Sequence, residues 1–277
     1  MRIAFRVSLV AAMLLGADAA RGQFPGDVAD NLRFRFGGIF ANLDSTVTFS
    51  TPELPSGEID VTGLLGDPDH KTTFRGEGFW NFAGRSFLDF GFVSFRTDNT
   101  RTISQDIEFG GVIYTAGAQV SSESLSRFLY AAYRYGFVKN PSFQLGLSLG
   151  ISYTTLRGLL SASAGVTQPD GTLIGGTVTR EAEINAPVPL IGLDVEGRIA
   201  KAFSLGARVR AFGASVNPYS GSMVEALAHV DWYFVRNAGL GAAYEWTRID
   251  IDKEQESKTV GFIYRYDGPR IYLILTF

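Results

Sequence analysis

The sequence predicts an all-β chain, closed as a transmembrane antiparallel up-and-down β-barrel of ten strands. Three observations carry this. Apolar and polar residues alternate with a period of two in segment after segment. The connections between these segments alternate between short and long. The polar parity is filled largely by Gly, Ser and Arg, side chains suited to a crowded interior rather than to a solvated face.

The chain opens on Arg2 and Arg6, an apolar run from Val7 to Leu15, and the small-x-small triplet Ala17-Asp18-Ala19. That order predicts a secretory signal over residues 1–19, removed after Ala19. Residues 20–31 then form a periplasmic N-terminal segment, and 32–277 the barrel. No later stretch reaches the ~18 consecutive apolar residues of a helical span, so an exported chain is either soluble or inserted through strands.

The first strand sets Leu32, Phe34, Phe36 and Phe40 against Arg33, Arg35 and Gly37. The second sets Phe74, Trp80 and Phe82 against Arg75, Glu77 and Asn81. In the third, Leu88, Phe90 and Phe92 oppose Asp89 and Gly91, but Phe95 falls on the polar parity. The fourth sets Leu129, Tyr133, Tyr135 and Phe137 against Ser126, Arg134 and Gly136. Strictest is the fifth, where Phe143 to Tyr153 alternates with Gln144 to Thr154. The sixth opposes Ile191, Leu193, Val195 and Ile199 to Asp194, Glu196 and Arg198, and the seventh Leu205, Ala207, Val209 and Ala211 to Arg208 and Arg210. The eighth sets Val224, Val230, Trp232 and Phe234 against Glu225, His229 and Asp231, and the ninth Leu240, Tyr244 and Trp246 against Gly241 and Glu245. The tenth sets Ile271, Leu273, Leu275 and Phe277 against Arg270, Tyr272 and Thr276. Each is near the ~9–11 residues of a tilted bilayer-crossing strand.

Short connections at 83–85, 139–141, 200–203 and 236–238 face the periplasm, and long ones at 50–73, 97–123, 156–183, 217–221 and 249–268 face outward. Both chain ends then lie on the periplasmic side, which requires an even strand number. Residues 102–115 and 259–266 carry alternation of their own and read as strands continuing above the membrane; if either crossed it as a separate hairpin, the count would be twelve. Gly268-Pro269 is expected to break or bulge the last strand at the outer rim, because Pro cannot donate to a ladder.

The last eight residues, Arg270-Ile271-Tyr272-Leu273-Ile274-Leu275-Thr276-Phe277, resemble the terminal strand of Gram-negative outer-membrane proteins. With the signal segment and the strand pattern, the chain is similar to the small outer-membrane β-barrel domain proteins. The resemblance implies an outer-membrane location, lipid and lipopolysaccharide as surroundings, and an assembly signal at Tyr272 and Phe277 read by the barrel assembly machinery. The reading is of a monomer with no cofactor.

With 25 Lys+Arg against 28 Asp+Glu the chain lacks the basic excess of a nucleic-acid binder. Having no Cys, it excludes disulfides, thiolate metal sites and a Cys nucleophile. The lumen-facing parity carries eight cations, Arg33, Arg35, Arg75, Arg134, Arg198, Arg208, Arg210 and Arg270, against seven acids, Glu77, Asp89, Asp194, Glu196, Glu225, Asp231 and Glu245. Near-neutrality and the choice of Arg predict a plugged polar lumen held by Arg–carboxylate pairs. His229 joins that face with Glu225 and Asp231 in parity, read as a hydrogen-bonded interior group rather than a general base. His70, with Asp67 and Asp69, is read as a solvated acidic loop; no metal site and no catalytic set is expected. Trp80, Tyr133, Tyr135, Trp232, Tyr244 and Trp246 are assigned to interfacial girdles. The functional expectation is a structural or surface-interaction barrel. Its alternatives are a narrow solute channel, a lipid A-modifying enzyme or an omptin-type protease, which would place acids and a His at the outer rim. A soluble exported sandwich or carrier is a fourth class.

Overall fold

A computed structural model describes residues 31–51, 54–60, 70–216, 219–255 and 258–277. The signal segment, most of the N-terminal segment, and Asp67 and Asp69 lie outside the described residues. Alternation becomes strand throughout: β1 (Leu32–Thr51), β2 (Leu54–Asp60), β3 (His70–Ala83), β4 (Ser86–Thr102), β5 (Ile107–Phe109), β6 (Val112–Tyr114), β7 (Gln119–Asn140), β8 (Phe143–Ala162), β9 (Val166–Thr167), β10 (Val178–Ala200), β11 (Phe203–Val216), β12 (Tyr219–Val235), β13 (Ala238–Gln255) and β14 (Lys258–Thr276). Ten of these pair in sequence order, β1-β3-β4-β7-β8-β10-β11-β12-β13-β14, and β14 returns to β1 to close the wall. The count is therefore ten, not twelve. Short β2 adds to the upper end of β1.

Four two-residue turns, Gly84-Arg85, Pro141-Ser142, Lys201-Ala202 and Arg236-Asn237, lie at one end. Gly84 has φ +57°, a left-handed value that Gly adopts without strain. The start of β1 and the end of β14 meet at the same end, where Leu32 N–H donates to Phe277 O at 3.0 Å.

The parity assignments place the large apolar side chains outside. Leu149 is 65% exposed, Phe74 58% and Ile271 59%, whereas Arg33, Arg210 and Arg270 are buried inside the wall. An exposed apolar belt of this extent is stable only against hydrocarbon.

Above the belt the same parities exchange character. On β8 the inward residues run Gln144, Ser148, Ser152 and then Leu156, Leu160 and Ala162; the outward ones run from Leu147, Leu149 and Ile151 to Arg157 and Ser161. On β10, Ile184, Val188 and Leu190 point in while Glu181 and Glu183 point out, and the order reverses below Ile191. Phe95 breaks no pattern: it and Val93 are inward residues of the upper half of β4. The lower half is thus polar inside and greasy outside; the upper half is the reverse, as in a water-soluble β-domain. The expectation of a polar lumen is therefore corrected to a lumen that is polar in its lower half and apolar in its upper half. Alternation alone assigns one chemistry to each face, whereas each strand leaves the membrane part-way along its length.

The upper half also opens into two facing sheets. The β3–β4 ladder ends at Arg75↔Val93 and the β10–β11 ladder at Ile191↔Ala211, while the other pairings continue upward. The sheet β4-β7-β8-β10 therefore faces β11-β12-β13-β14-β1-β3. Their inner faces share one apolar core that includes Phe95, Phe128, Leu156, Ile184, Ile249, Phe262 and Tyr264.

Two expectations about irregular segments are corrected. Residues 107–114 do not continue the barrel: β5 and β6 fold back and pair with β9 as a separate three-stranded sheet. Its Ile107, Phe109, Val112 and Tyr114 join the core between the two large sheets. Burial pushes the Tyr114 phenol up to about 12, which keeps it the donor of a 3.2 Å bond to Leu160 O. Gly268-Pro269 neither ends nor bulges β14. Asn42↔Asp267 and Ile39↔Arg270 keep one register across it, and Pro269 is exposed outside the wall. Gly268 is what permits this, since a Cβ there would stand 2.1 Å from Phe40 O.

Candidate functional site

The lower lumen gathers most of the charged residues into two groups of ion pairs, which meet where Arg270 Nη2 donates to Arg35 O at 3.4 Å. Arg33 donates to Glu196 at 2.5 Å, and Arg35 to Asp231 at 2.7 Å, with Glu196 at 3.6 Å. Arg75 pairs with Glu245 and lies 3.6 and 3.7 Å from Glu77 and Glu225. Arg208 bridges Glu77 at 3.1 Å and Glu225 at 3.0 Å, and Arg270 reaches Glu77 at 2.8 Å. Arg134 grips Asp89 through Nε at 2.8 Å. Arg210 lies 3.8 Å from both Asp89 and Glu225, with its guanidinium 4.2 Å from the Tyr130 ring centre. Asp194 accepts from Ser148 at 3.1 Å. Arg198 stands three residues before the Lys201-Ala202 turn, at the periplasmic edge. Most acids touch two or three guanidiniums, the arrangement that offsets removal of both charges from water.

Inward glycines make room for these contacts. A Cβ on Gly241 would come within 2.2 Å of the Tyr272 ring, and one on Gly91 within 2.4 Å of the Tyr130 ring. Tyr272, assigned from sequence to the terminal signal, donates its hydroxyl to Asp231 at 2.6 Å inside the lumen. Phe277 remains on the outer surface.

A ring of aromatics separates the charged layer from the apolar one. Phe95 and Tyr266 have centroids 5.0 Å apart, with Phe128 5.9 Å from Tyr264. Tyr266 joins the layers directly: its ring packs upward and its hydroxyl donates to Glu245 at 2.8 Å. No signal in the alternation announced this ring, because Tyr and Phe on a polar parity read as exceptions until the parity is known to change character.

The one trio with metal-ligand chemistry among the described residues is Glu196, His229 and Asp231. Its centre already holds a cation. Arg35 Nη2 lies 2.7 Å from Asp231, 3.0 Å from His229 Nε2 and 3.6 Å from Glu196. A guanidinium only donates, so His229 Nε2 accepts and the ring proton sits on Nδ1. A metal would have to displace Arg35, and the residues do not fit one. The same contact occupies the nitrogen that a general base would use.

Trp80, Tyr133, Tyr135 and Trp232 stand exposed outside the wall near the short turns; Tyr244 and half-buried Trp246 stand higher, on the opposite edge of the belt. His70, at the foot of the long 51–72 connection, faces outward and bonds Asn42 Oδ1 at 2.7 Å.

No protein family and no curated protein matches the chain. Solved structures do. The outer-membrane protease OmpT from Escherichia coli superposes with a TM-score of 0.56 at 13% identity, over 91% of this chain and 98% of that one. The fold is that of an integral outer-membrane β-barrel. An outer-membrane location goes with that fold and with the outward apolar belt. Looser likenesses are OprG from Pseudomonas aeruginosa (TM-score 0.37, 12% identity, 92% and 98% covered) and the translocator domain of the autotransporter NalP from Neisseria meningitidis (0.39, 12%, 99% and 96%). The barrel does not carry an omptin-type constellation among its described residues. Its mouth is lined by Ile184, Ile249, Ile251 and Phe262, His229 is in the lower lumen, and His70 points away from the interior.

Proposed function

We propose that this protein is a closed barrel acting at the cell surface through its upper, two-sheet portion rather than by conducting solutes. The observation that carries this is the filling of the lumen by two successive layers of opposite chemistry. The guanidinium–carboxylate layer leaves a cavity of about 50 Å³ between Arg35, Asp89, Arg134 and His229. The apolar layer leaves one of about 30 Å³ beneath Phe109. Either accommodates a few waters at most. A solute crossing would have to break buried ion pairs and then enter a dry core, two barriers that no single permeant satisfies. In this reading the chain is a monomer delivered by the 1–19 signal. Its terminal strand ending at Phe277 is presented to the assembly machinery, and lipopolysaccharide surrounds its upper rim.

Single-channel recording in planar bilayers tests the reading. The expected trace is flat, with no steady open level. A sustained ohmic conductance from the folded, heat-modifiable species would overturn it in favour of a narrow channel.

A further inference from the structure

On one side of the barrel, at the upper edge of the apolar belt, two rows of outward polar residues cross adjacent strands in direct register. The lower row is Trp246↔Asp267↔Asn42↔His70, over β13, β14, β1 and β3. The row above it is Arg248↔Arg265↔Asp44.

The lower row is wired together. Tyr244 donates to Asp267 at 2.5 Å, Asn42 to the same oxygen at 3.3 Å, and His70 Nδ1 meets Asn42 Oδ1 at 2.7 Å. Above it, two arginines, Arg248 and Arg265, occupy directly opposed positions across β13 and β14, a pairing of like charges that a neighbouring anion relieves. Arg265 has Asp44 at 3.7 Å, beyond hydrogen-bond length. Arg248 is exposed and forms no ion pair or hydrogen bond among the described residues. Two other exposed arginines of the upper wall are neutralised on neighbouring strands, Arg96 by Glu123 at 3.2 Å and Arg157 by Glu181 at 2.6 Å.

We propose that this face binds the headgroup of a phosphorylated glycolipid of the outer leaflet. Arg248 and Arg265 take the phosphate, and the Trp246 ring with the amide and carboxylate of Asn42 and Asp267 takes the sugar. The level fits, because both rows begin where Ile271 and Phe40 end the apolar belt on β14 and β1. The chemistry fits: paired guanidiniums suit phosphate oxygens, and an aromatic face beside fixed hydrogen-bonding groups suits a saccharide. The inference rests on the membrane-embedded reading of the barrel and names a lipid partner and its place on the wall.

Native mass spectrometry of the full mature chain, released from detergent with bisphosphorylated lipid A, tests it. Wild type is expected to retain one lipid A, and R248Q/R265Q to lose retention at least tenfold. R248K/R265K should keep most of it, and R127Q, a lone outward arginine on β7, all of it. Dephosphorylated lipid A and phosphatidylglycerol should each bind at least tenfold more weakly. Equal retention by R248Q/R265Q, equal loss in R127Q, or equal binding of either control lipid overturns the proposal. Heat-modifiable migration of each variant establishes that its barrel is folded. A folded, non-conducting R248Q/R265Q that still holds lipid A defeats this inference while leaving the closed-barrel reading intact.

Discussion

Arg75 shows how the charged layer works at the level of single residues. It is buried among Glu77, Glu225 and Glu245, so Arg75→Leu leaves Glu245 with no guanidinium partner among the described residues and takes one partner each from Glu77 and Glu225. The expected loss is about 3–5 kcal/mol, the usual cost of orphaning a buried charge, read as a lower urea midpoint for unfolding in detergent. Arg96→Ala, which breaks an exposed pair with side chains 70% and 50% accessible, should change the same midpoint by less than about 1 kcal/mol. Similar midpoints for the two variants would remove the lower network from the forces holding the barrel. Which residues face the lumen was legible in the sequence, since one parity in each strand carries the arginines. Which acid each arginine meets was not. Arg33 and Glu196 are 163 residues apart and meet only because the barrel closes and its interior is narrow enough for side chains to cross it.

Among the elements, β10 is the most informative. Its upper half pairs with β8 alone, since β11 leaves it above Ile191. Pro187 and Pro189 are two residues apart, so their missing N–H groups belong to the same edge, and Pro is tolerated on the edge that lacks a ladder. The N–H groups of Glu181, Glu183 and Asn185 therefore share the open edge, while those of Ile184, Ala186 and Val188 face β8. Residue-resolved amide exchange should alternate along this stretch, with 181, 183 and 185 fast and 182, 184, 186 and 188 protected; uniform protection would show the seam to be closed. A second test concerns the belt. Leu149→Arg should cost about 2–4 kcal/mol, as a cation forced into mid-bilayer hydrocarbon does. The same arginine already occurs without penalty eight residues on, as Arg157, because there β8 has left the membrane. The ten segments could be read from alternation because a belt imposes strict periodicity. The exchange of parity, the seams and the fold-back of 107–114 could not, because they depend on where the bilayer ends and on which ladders stop.

The whole molecule joins two solutions to one problem. In hydrocarbon, every strand must pair and its polar side chains must turn inward. In water above, the apolar side chains turn inward and edges become tolerable, so the ring can part into two sheets around a dry core. Because charged and apolar layers seal independently, replacing residues 104–117 with a short Gly/Ser turn should leave planar-bilayer recordings silent; a conductance appearing in that variant would make the fold-back sheet the sole seal. The central claim is the change of facing along a continuous strand, and the absence of native Cys makes it directly measurable. Single cysteines placed along β8, spin-labelled in bilayers, should be accessible to oxygen at 147, 149 and 151, to an aqueous nickel chelate at 157 and 161, and to neither at 148, 152, 156 and 160. Oxygen access at the even positions, or lipid exposure continuing unchanged through 157 and 161, would contradict the account.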